Sequence, residues 1–364
     1  MKTICELNKC NGCMACVDKC PKQCISIKDD IYSYNAIKDL SICINCGLCS
    51  KVCPNINQII KKQPLEWRQG WVEWNIRSKS SSGGVASSII KTFIENGGYV
   101  ASCLFENGQF IFEITNDLEF AKKFSGSKYV KSNPVGIYKK IEERLKSNKV
   151  LFIGLPCQVA GLKNYLRSEQ NLYTIDLICH GTPSPQILNY YLEEKNIDIN
   201  KIDTISFRNN ISMGLKINNR RICSVGEDDY LLSFLDSLAY TENCYECKFA
   251  SAERIADITL GDSWGSEFKD EEKNGISLVL IQTEKGKELC STLELHEVNI
   301  EVAKKENHQL NYPSYKNPNR KLFISGLIEG KKFSELTKKI YKKEILKRYI
   351  KYVLVYLNIR KPLC

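Results

Sequence analysis

Residues 10–21 read Cys10-Asn11-Gly12-Cys13-Met14-Ala15-Cys16-Val17-Asp18-Lys19-Cys20-Pro21, and residues 43–54 read Cys43-Ile44-Asn45-Cys46-Gly47-Leu48-Cys49-Ser50-Lys51-Val52-Cys53-Pro54. The second stretch repeats the first at an offset of 33 residues, cysteine for cysteine and proline for proline. A C-x2-C-x2-C run lets three thiolates close on one metal centre from a single loop. Soft thiolates select iron–sulfur clusters or zinc over hard cations. The fourth cysteine, three residues further on, sits too far along to close the same centre comfortably. Zinc sites usually draw on separate C-x2-C pairs, so the paired runs predict two 4Fe-4S clusters, with a zinc module as the alternative. Gly12, Ala15 and Gly47 keep the loops small enough for backbone amides to approach sulfide.

Residues 5 to about 56 resemble the bacterial two-cluster ferredoxin module. In that module the fourth cysteine of each run ligates the other cluster. The resemblance therefore implies Cys10, Cys13, Cys16 and Cys53 around one cluster, and Cys43, Cys46, Cys49 and Cys20 around the other.

Working outward, the chain has 364 residues, 43% hydrophobic and 26% charged, enough for two or three folded domains. Its 18 cysteines are far above the ordinary share. Cys5, Cys10, Cys13 and Cys16 stand where the apolar core of a signal peptide would lie. Clustered thiols without such a leader point to metal in a reducing cytoplasm rather than to disulfides. The net charge of +10 is concentrated in residues 331–364, which hold eleven Lys and Arg against two acids, so the rest of the chain is near neutral. That distribution argues against a general nucleic-acid-binding surface.

The organisation predicted is an α+β ferredoxin-like dicluster domain over residues 1–62, an α/β domain with a mixed, mainly parallel sheet over 63–328, and a C-terminal basic amphipathic helix within 329–364. Lys61, Lys62 and Pro64 read as a linker. Ser82-Gly83-Gly84 opens a helix whose apolar face is Val85, Ala86, Ile89, Ile90, Phe93 and Ile94, stopped by Gly97-Gly98. Strands are expected at Tyr99–Phe105, Lys149–Ile153 and Leu172–Ile178. Helices are expected around Ile137, Ile141 and Leu145, over Val159–Arg167, and over Pro183–Lys195. Ile205–Phe207, Ile255–Leu260 and Ile276–Ile281 are candidate further strands of the same sheet.

Two of those strands run into cysteine: Val150 to Ile153 into Gly154-Leu155-Pro156-Cys157-Gln158, and Ile175 to Ile178 into Cys179-His180-Gly181. Ligands of open α/β sheets collect beyond the carboxyl ends of the strands. Cys244-x2-Cys247 has the spacing of half a metal site. Cys157, Cys179, Cys244 and Cys247 together are thus a candidate third 4Fe-4S site. Zinc, a redox-active thiol pair, and buried cysteines acting as small hydrophobes are the alternatives, and Cys223 is a substitute for any of the four. His180 is a candidate proton donor beside a redox centre, or the partner of a structural hydrogen bond.

With these segments aligned, the chain resembles the family of coenzyme F420 hydrogenase/dehydrogenase beta subunits. The resemblance is carried by Ser80 to Gly84, Gly126-Ser127-Lys128-Tyr129, Gly154 to Gln158, Cys179-His180-Gly181, Phe207-Arg208, Cys244-x2-Cys247, and Ala256 to Gly265. It implies an iron–sulfur oxidoreductase subunit that binds FAD and exchanges electrons with a deazaflavin or another two-electron substrate and with a partner protein or catalytic subunit. The flavin contacts it implies are Ser81, Ser82, Gly83, Gly84, Lys128, Tyr129, Gly154, Pro156 and Gln158, with Arg208 a weaker anion contact. A flavin-free electron carrier or adaptor is the rival reading. No residue separates deazaflavin from nicotinamide or a protein substrate.

In the tail, Ile345, Leu346, Tyr349, Ile350, Val353, Leu354 and Leu357 mark one helical face, opposite Glu344, Lys347, Arg348 and Lys351. Its apolar run is too short to span a bilayer. Residues 331–359 are expected to pack on their own domain, to lie on an anionic membrane surface, or to dock on a partner.

Overall fold

The computed structural model describes residues 2–209, 212–223 and 228–342. The N-terminal module pairs β1 (Lys2–Thr3), β2 (Ile25–Asp29) and β3 (Tyr34–Lys38) in the order β1-β3-β2. Two short helices, Ala15–Lys19 and Leu48–Lys51, follow the two cysteine loops. The loops are conformational copies at the 33-residue offset. Gly12 and Asn45 are left-handed (φ 70° and 53°), and so are Met14 and Gly47 (φ 59° and 74°). Such residues turn the backbone inward; Met14 adopts the conformation without glycine's freedom, which marks the loop as held from outside.

The second unit contains β4 (Glu66–Gly70), β5 (Tyr99–Glu106), β6 (Gln109–Thr115), β7 (Val150–Gly154) and β8 (Leu172–Leu177). A hairpin of β9 (Ile205–Asn209), β10 (Ser212–Ile217) and β11 (Arg220–Arg221) comes next, and then β12 (Ile258–Asp262), β13 (Ser277–Ile281) and β14 (Leu295–Glu297). Eight of these strands form one sheet in the order β14-β4-β13-β12-β8-β7-β5-β6. The central strands β12, β8, β7 and β5 are mutually parallel, flanked by antiparallel neighbours. β7 is buried along its whole length, as an apolar run covered on both faces requires.

The expected helices and central strands are present, with four differences. The helix after β7 starts at Pro156 rather than Val159, because Pro156 sits at its first turn and the Gln158 side chain accepts from the Leu155 N–H at 2.8 Å. Cys157 is therefore on the first helical turn. β9 belongs to the separate hairpin sheet β11-β10-β9, not to the main sheet. The linker is tied down: Lys62 and Arg254 exchange backbone hydrogen bonds. The helix Phe333–Ile340 buries Phe333, Leu336 and Thr337 against the Arg320–Ile328 helix, so the packed body continues past residue 328. The amphipathic face assigned to Ile345–Leu357 lies outside the described residues. Among those described, no helix is long and apolar enough to cross a membrane.

The module and the α/β unit share a core. Cys13, Met14, Ala15 and Cys16 pack with Tyr138, Ile141, Val159 and Ala160. Tyr138 Oη donates to the Cys13 carbonyl at 2.7 Å, and Gly136 N–H to Asp18 at 2.7 Å. Gly161 makes the approach possible, since a Cβ there would stand 3.1 Å from Cys13 Sγ.

Candidate metal centres and the adjoining crevice

The loop thiols gather in neighbouring groups. Burial and the nearby thiols of Cys10, Cys53 and Cys49 push the Cys16 thiol up, and Cys13 is pushed up by burial with Cys16, Cys10 and Cys53 around it. Cys53, from the second run, is thus a neighbour of the first loop. Cys20 from the first run joins the second loop through Cys24, which lies 3.4 Å from Cys20 Sγ and also contacts Cys43.

Two cysteines left unassigned by the spacing stand in these groups. Cys5 hydrogen-bonds Cys10 and Cys53, holding both down to about 7. Cys24 takes the matching place between Cys20 and Cys43. At the 33-residue offset Cys5 corresponds to Lys38 and Cys24 to Asn57, so no repeat in the sequence revealed them.

The third group also assembles. Cys157 faces Cys247 and Cys244, and Cys179 faces Cys244, Cys157 and Cys247; burial pushes Cys157 and Cys179 up, and these neighbours add to it. Cys244 Sγ lies 3.5 and 3.9 Å from the Thr241 and Thr182 hydroxyls. Cys223 is elsewhere, 3.5 Å from Tyr191 Oη, and is not a substitute ligand. Among the described residues no group of three or more His, Cys, Asp or Glu side chains is arranged for a single metal ion. The ligands of a cubane bind separate irons and so span a wider arrangement than that. The donor set, at least four thiols in each group, fits 4Fe-4S clusters.

At the carboxyl edge of the sheet, beyond these thiols, loops and strand ends converge. Ser127 N–H donates to Ser81 Oγ at 2.7 Å, joining the Ser80–Gly84 loop to Gly126–Tyr129. Arg208 makes a bidentate pair with Asp262 at the end of β12, both bonds 2.7 Å, and contacts Tyr129 and Trp264. His180 lies beside this pair, open to solvent on one side while its ring packs 5.8 Å from that of His308. Desolvation of the packed ring and His308 pull His180 down to about 4, so the ring is neutral at pH 7. Asp262 and His308 belong to this edge although their roles were not read from the sequence; the scarcity of histidine, three in all, was the available signal for His308.

Several residues nominated for a flavin are engaged by the protein itself. Gly83 and Gly84 are buried, and a Cβ at Gly83 would meet the Gly70 carbonyl at 2.4 Å. Their smallness serves packing of the loop against β4 and β13. Ser82 Oγ donates to the Ile276 carbonyl at 2.8 Å. Lys128 Nζ donates to the carbonyls of Phe124 and Ser125 at 2.7 and 3.0 Å, and desolvation lowers its pKa to about 8. Tyr129 stacks on Phe234 at 4.4 Å. A Cβ at Gly154 would meet the Phe152 ring at 2.8 Å, and Pro156 and Gln158 shape the helix start that carries Cys157, with Gln158 Nε2 also donating to Ser132 Oγ at 3.0 Å. Ser81 and the amino end of the Val85–Glu95 helix remain at this edge.

With this geometry in view, comparison with known proteins separates the chain into two parts. Residues 9–57 match the 4Fe-4S dicluster domain. Residues 147–307 match the family described as the C terminus of the coenzyme F420 hydrogenase/dehydrogenase beta subunit. The chain thus carries one segment matching each of the two family models. Similar proteins include the coenzyme F420-dependent sulfite reductase of Methanocaldococcus jannaschii, 25% identical over 327 residues, which cover 75% of this chain and 50% of the relative. The chain thus spans about half the length of that relative. The F component of the F(420)H(2) dehydrogenase of Methanosarcina mazei is 23% identical over 282 residues, covering 71% of this chain and 78% of the relative. In fold, this chain is similar to a chain of the F420-reducing [NiFe] hydrogenase complex from Methanosarcina barkeri, with a TM-score of 0.50 at 17% identity, covering 71% of this chain and 99% of the other.

Proposed function

We propose that this chain is an oxidoreductase subunit that carries electrons along three 4Fe-4S clusters between its surface and the carboxyl edge of the sheet. The observation that carries the reading is the serial contact of the thiol groups. Cys49 neighbours Cys16, joining the two module sites, and Cys13 neighbours Cys157, joining the module to the third group. The third group continues to that edge through Cys179-His180.

The relatives named for coenzyme F420 favour a deazaflavin, or another two-electron substrate, at the far end. Sulfite chemistry belongs to the longer relative. FAD, when bound, supplies the exchange between one-electron and hydride chemistry. Toward it, this chain offers the Ser81 hydroxyl, the helix amino end, the neutral His180 ring and the Arg208–Asp262 pair, which fixes a guanidinium at that edge. One observation favours the flavin-free carrier as a second reading: Gly83, Gly84, Lys128 and Tyr129 are already engaged within the protein.

Anaerobic purification with iron, sulfide and flavin quantification tests both readings. Three cubanes require about twelve irons per chain. Replacing Cys244 and Cys247 with serine should lower this to about eight, with the two module clusters still visible by paramagnetic resonance. About eight irons in the wild type, unchanged by the substitutions, rejects the third cluster. Stoichiometric FAD released on denaturation supports the flavoprotein; cluster-replete, flavin-free protein supports the carrier.

A further inference from the structure

The two cysteine loops are copies in backbone but opposites in surroundings, and their side chains run against ordinary burial. The first loop packs on the α/β unit, yet its flanking positions are polar: Lys9 pairs with Glu246, and the Asn11 carbonyl accepts from Lys131 at 3.1 Å. The second loop faces solvent, yet the positions 33 residues on are Ile42 and Ile44, 51% and 56% exposed. Leu40 is 59% exposed, and Cys46 between these and the short helix is exposed as well. Apolar side chains collected in water on one loop mark a contact surface rather than a fold requirement.

Charge around this loop has one dominant sign. Lys22, Lys38 and Lys51 lie within three residues of Cys20, Cys24 or Cys49 or beside them in β3, and none forms an ion pair among the described residues. Asp39 is the only acid in the loop 39–46. The patch is also small. Three aliphatic side chains cannot fill the ~800 Å² per partner of a stable interface, but they suit the smaller contacts of transient electron-transfer pairs.

Resting on the cluster reading above, we infer that the loop of residues 39–46 is the docking surface for a separate, acidic one-electron carrier protein. The carrier's face is apolar at its centre and acidic at its rim. In each encounter one electron leaves the carrier's centre and enters the cluster held by Cys20, Cys43, Cys46 and Cys49, or makes the reverse passage, and no proton or covalent bond is exchanged. Cys10, Cys13, Cys16 and Cys53 are buried and the third group is half-buried at the sheet edge, whereas Cys46 is exposed, so this loop is the end of the series most open to the surface.

The test compares wild type with a triple variant, Leu40→Gln, Ile42→Gln and Ile44→Gln, which changes exposed side chains and no ligand. Anaerobic stopped-flow follows oxidation of a reduced acidic flavodoxin, used as the probe, and of methyl viologen radical, which needs no docking face. Binding of oxidised, fluorescently labelled flavodoxin is read by anisotropy at low and high salt. The expected result is at least a tenfold lower rate with flavodoxin for the variant, weaker binding, and a viologen rate and iron content within twofold of wild type. Wild-type binding and exchange should also weaken as salt rises. Unchanged exchange of the variant with flavodoxin, or wild-type exchange indifferent to salt, overturns the docking surface. Wild-type protein lacking the module's iron and its resonance signal overturns the cluster reading instead.

Discussion

At the residue scale, the sheet edge holds a cation whose charge works against folding. Lys128 is desolvated and drawn down to about 8 from its ordinary 10.5. The unfolded chain therefore binds the extra proton between those values, and linkage makes the wild type gain stability as pH rises through that window. Below about 8 both states are protonated and the penalty of the buried charge is fully present. Lys128→Met removes this dependence. The stability difference between wild type and variant, from anaerobic urea midpoints, should move in favour of wild type between pH 8 and 10.5; a constant difference would show that Lys128 is not held this way. Tyr129 illustrates the limit of reading such residues from sequence. An aromatic beside a lysine suits a ring-stacking site, but Phe234, more than a hundred positions away, takes its face.

At the element scale, the third thiol group depends on a clamp under it. Arg254 donates to Asp176 Oδ1 at 2.8 Å within the core and also binds the carbonyls of Phe249 and Leu177. It fastens the chain after Cys247 to β8, the strand that leads to Cys179. Both partners are almost fully buried, at 2% and 0% side-chain exposure. Removing one leaves the other charged and unpaired, which costs roughly 3–5 kcal/mol. Asp176→Asn should lower the melting temperature and reduce iron toward eight per chain while the module signals persist. Full iron with an unchanged melting point would rule the clamp out. Elements were legible where pattern and environment agreed, as for β7, β8 and the Val85–Glu95 helix. β4 escaped notice because Glu66-Trp67-Arg68-Gln69-Gly70 carries no apolar pattern. Its buried Gln69 is satisfied by Ser263, Ser266, Glu267 and Glu297, partners no local reading supplies.

At the scale of the whole molecule, the module and the third thiol group form one continuous body, since Cys13 lies against the helix that carries Cys157. A chain loaded with three one-electron clusters and a two-electron flavin takes up about five electrons in an anaerobic reductive titration. A flavin-free carrier takes up about three, so the endpoint separates the readings by itself.

The sequence alone determined the two paired cysteine runs, their 33-residue period and the parallel centre of the sheet, because spacing and periodicity are local and survive without a partner. Tertiary structure alone decided which copy of the repeat faces the α/β unit and which faces water, and that Cys5 and Cys24 stand among the loop thiols. It also decided that Gly83 lies against the backbone of Gly70 and Ser277, and Gly84 against the Val72 side chain. Each of these depends on atoms brought together from distant parts of the chain, and the pattern of one segment holds no record of what will pack against it.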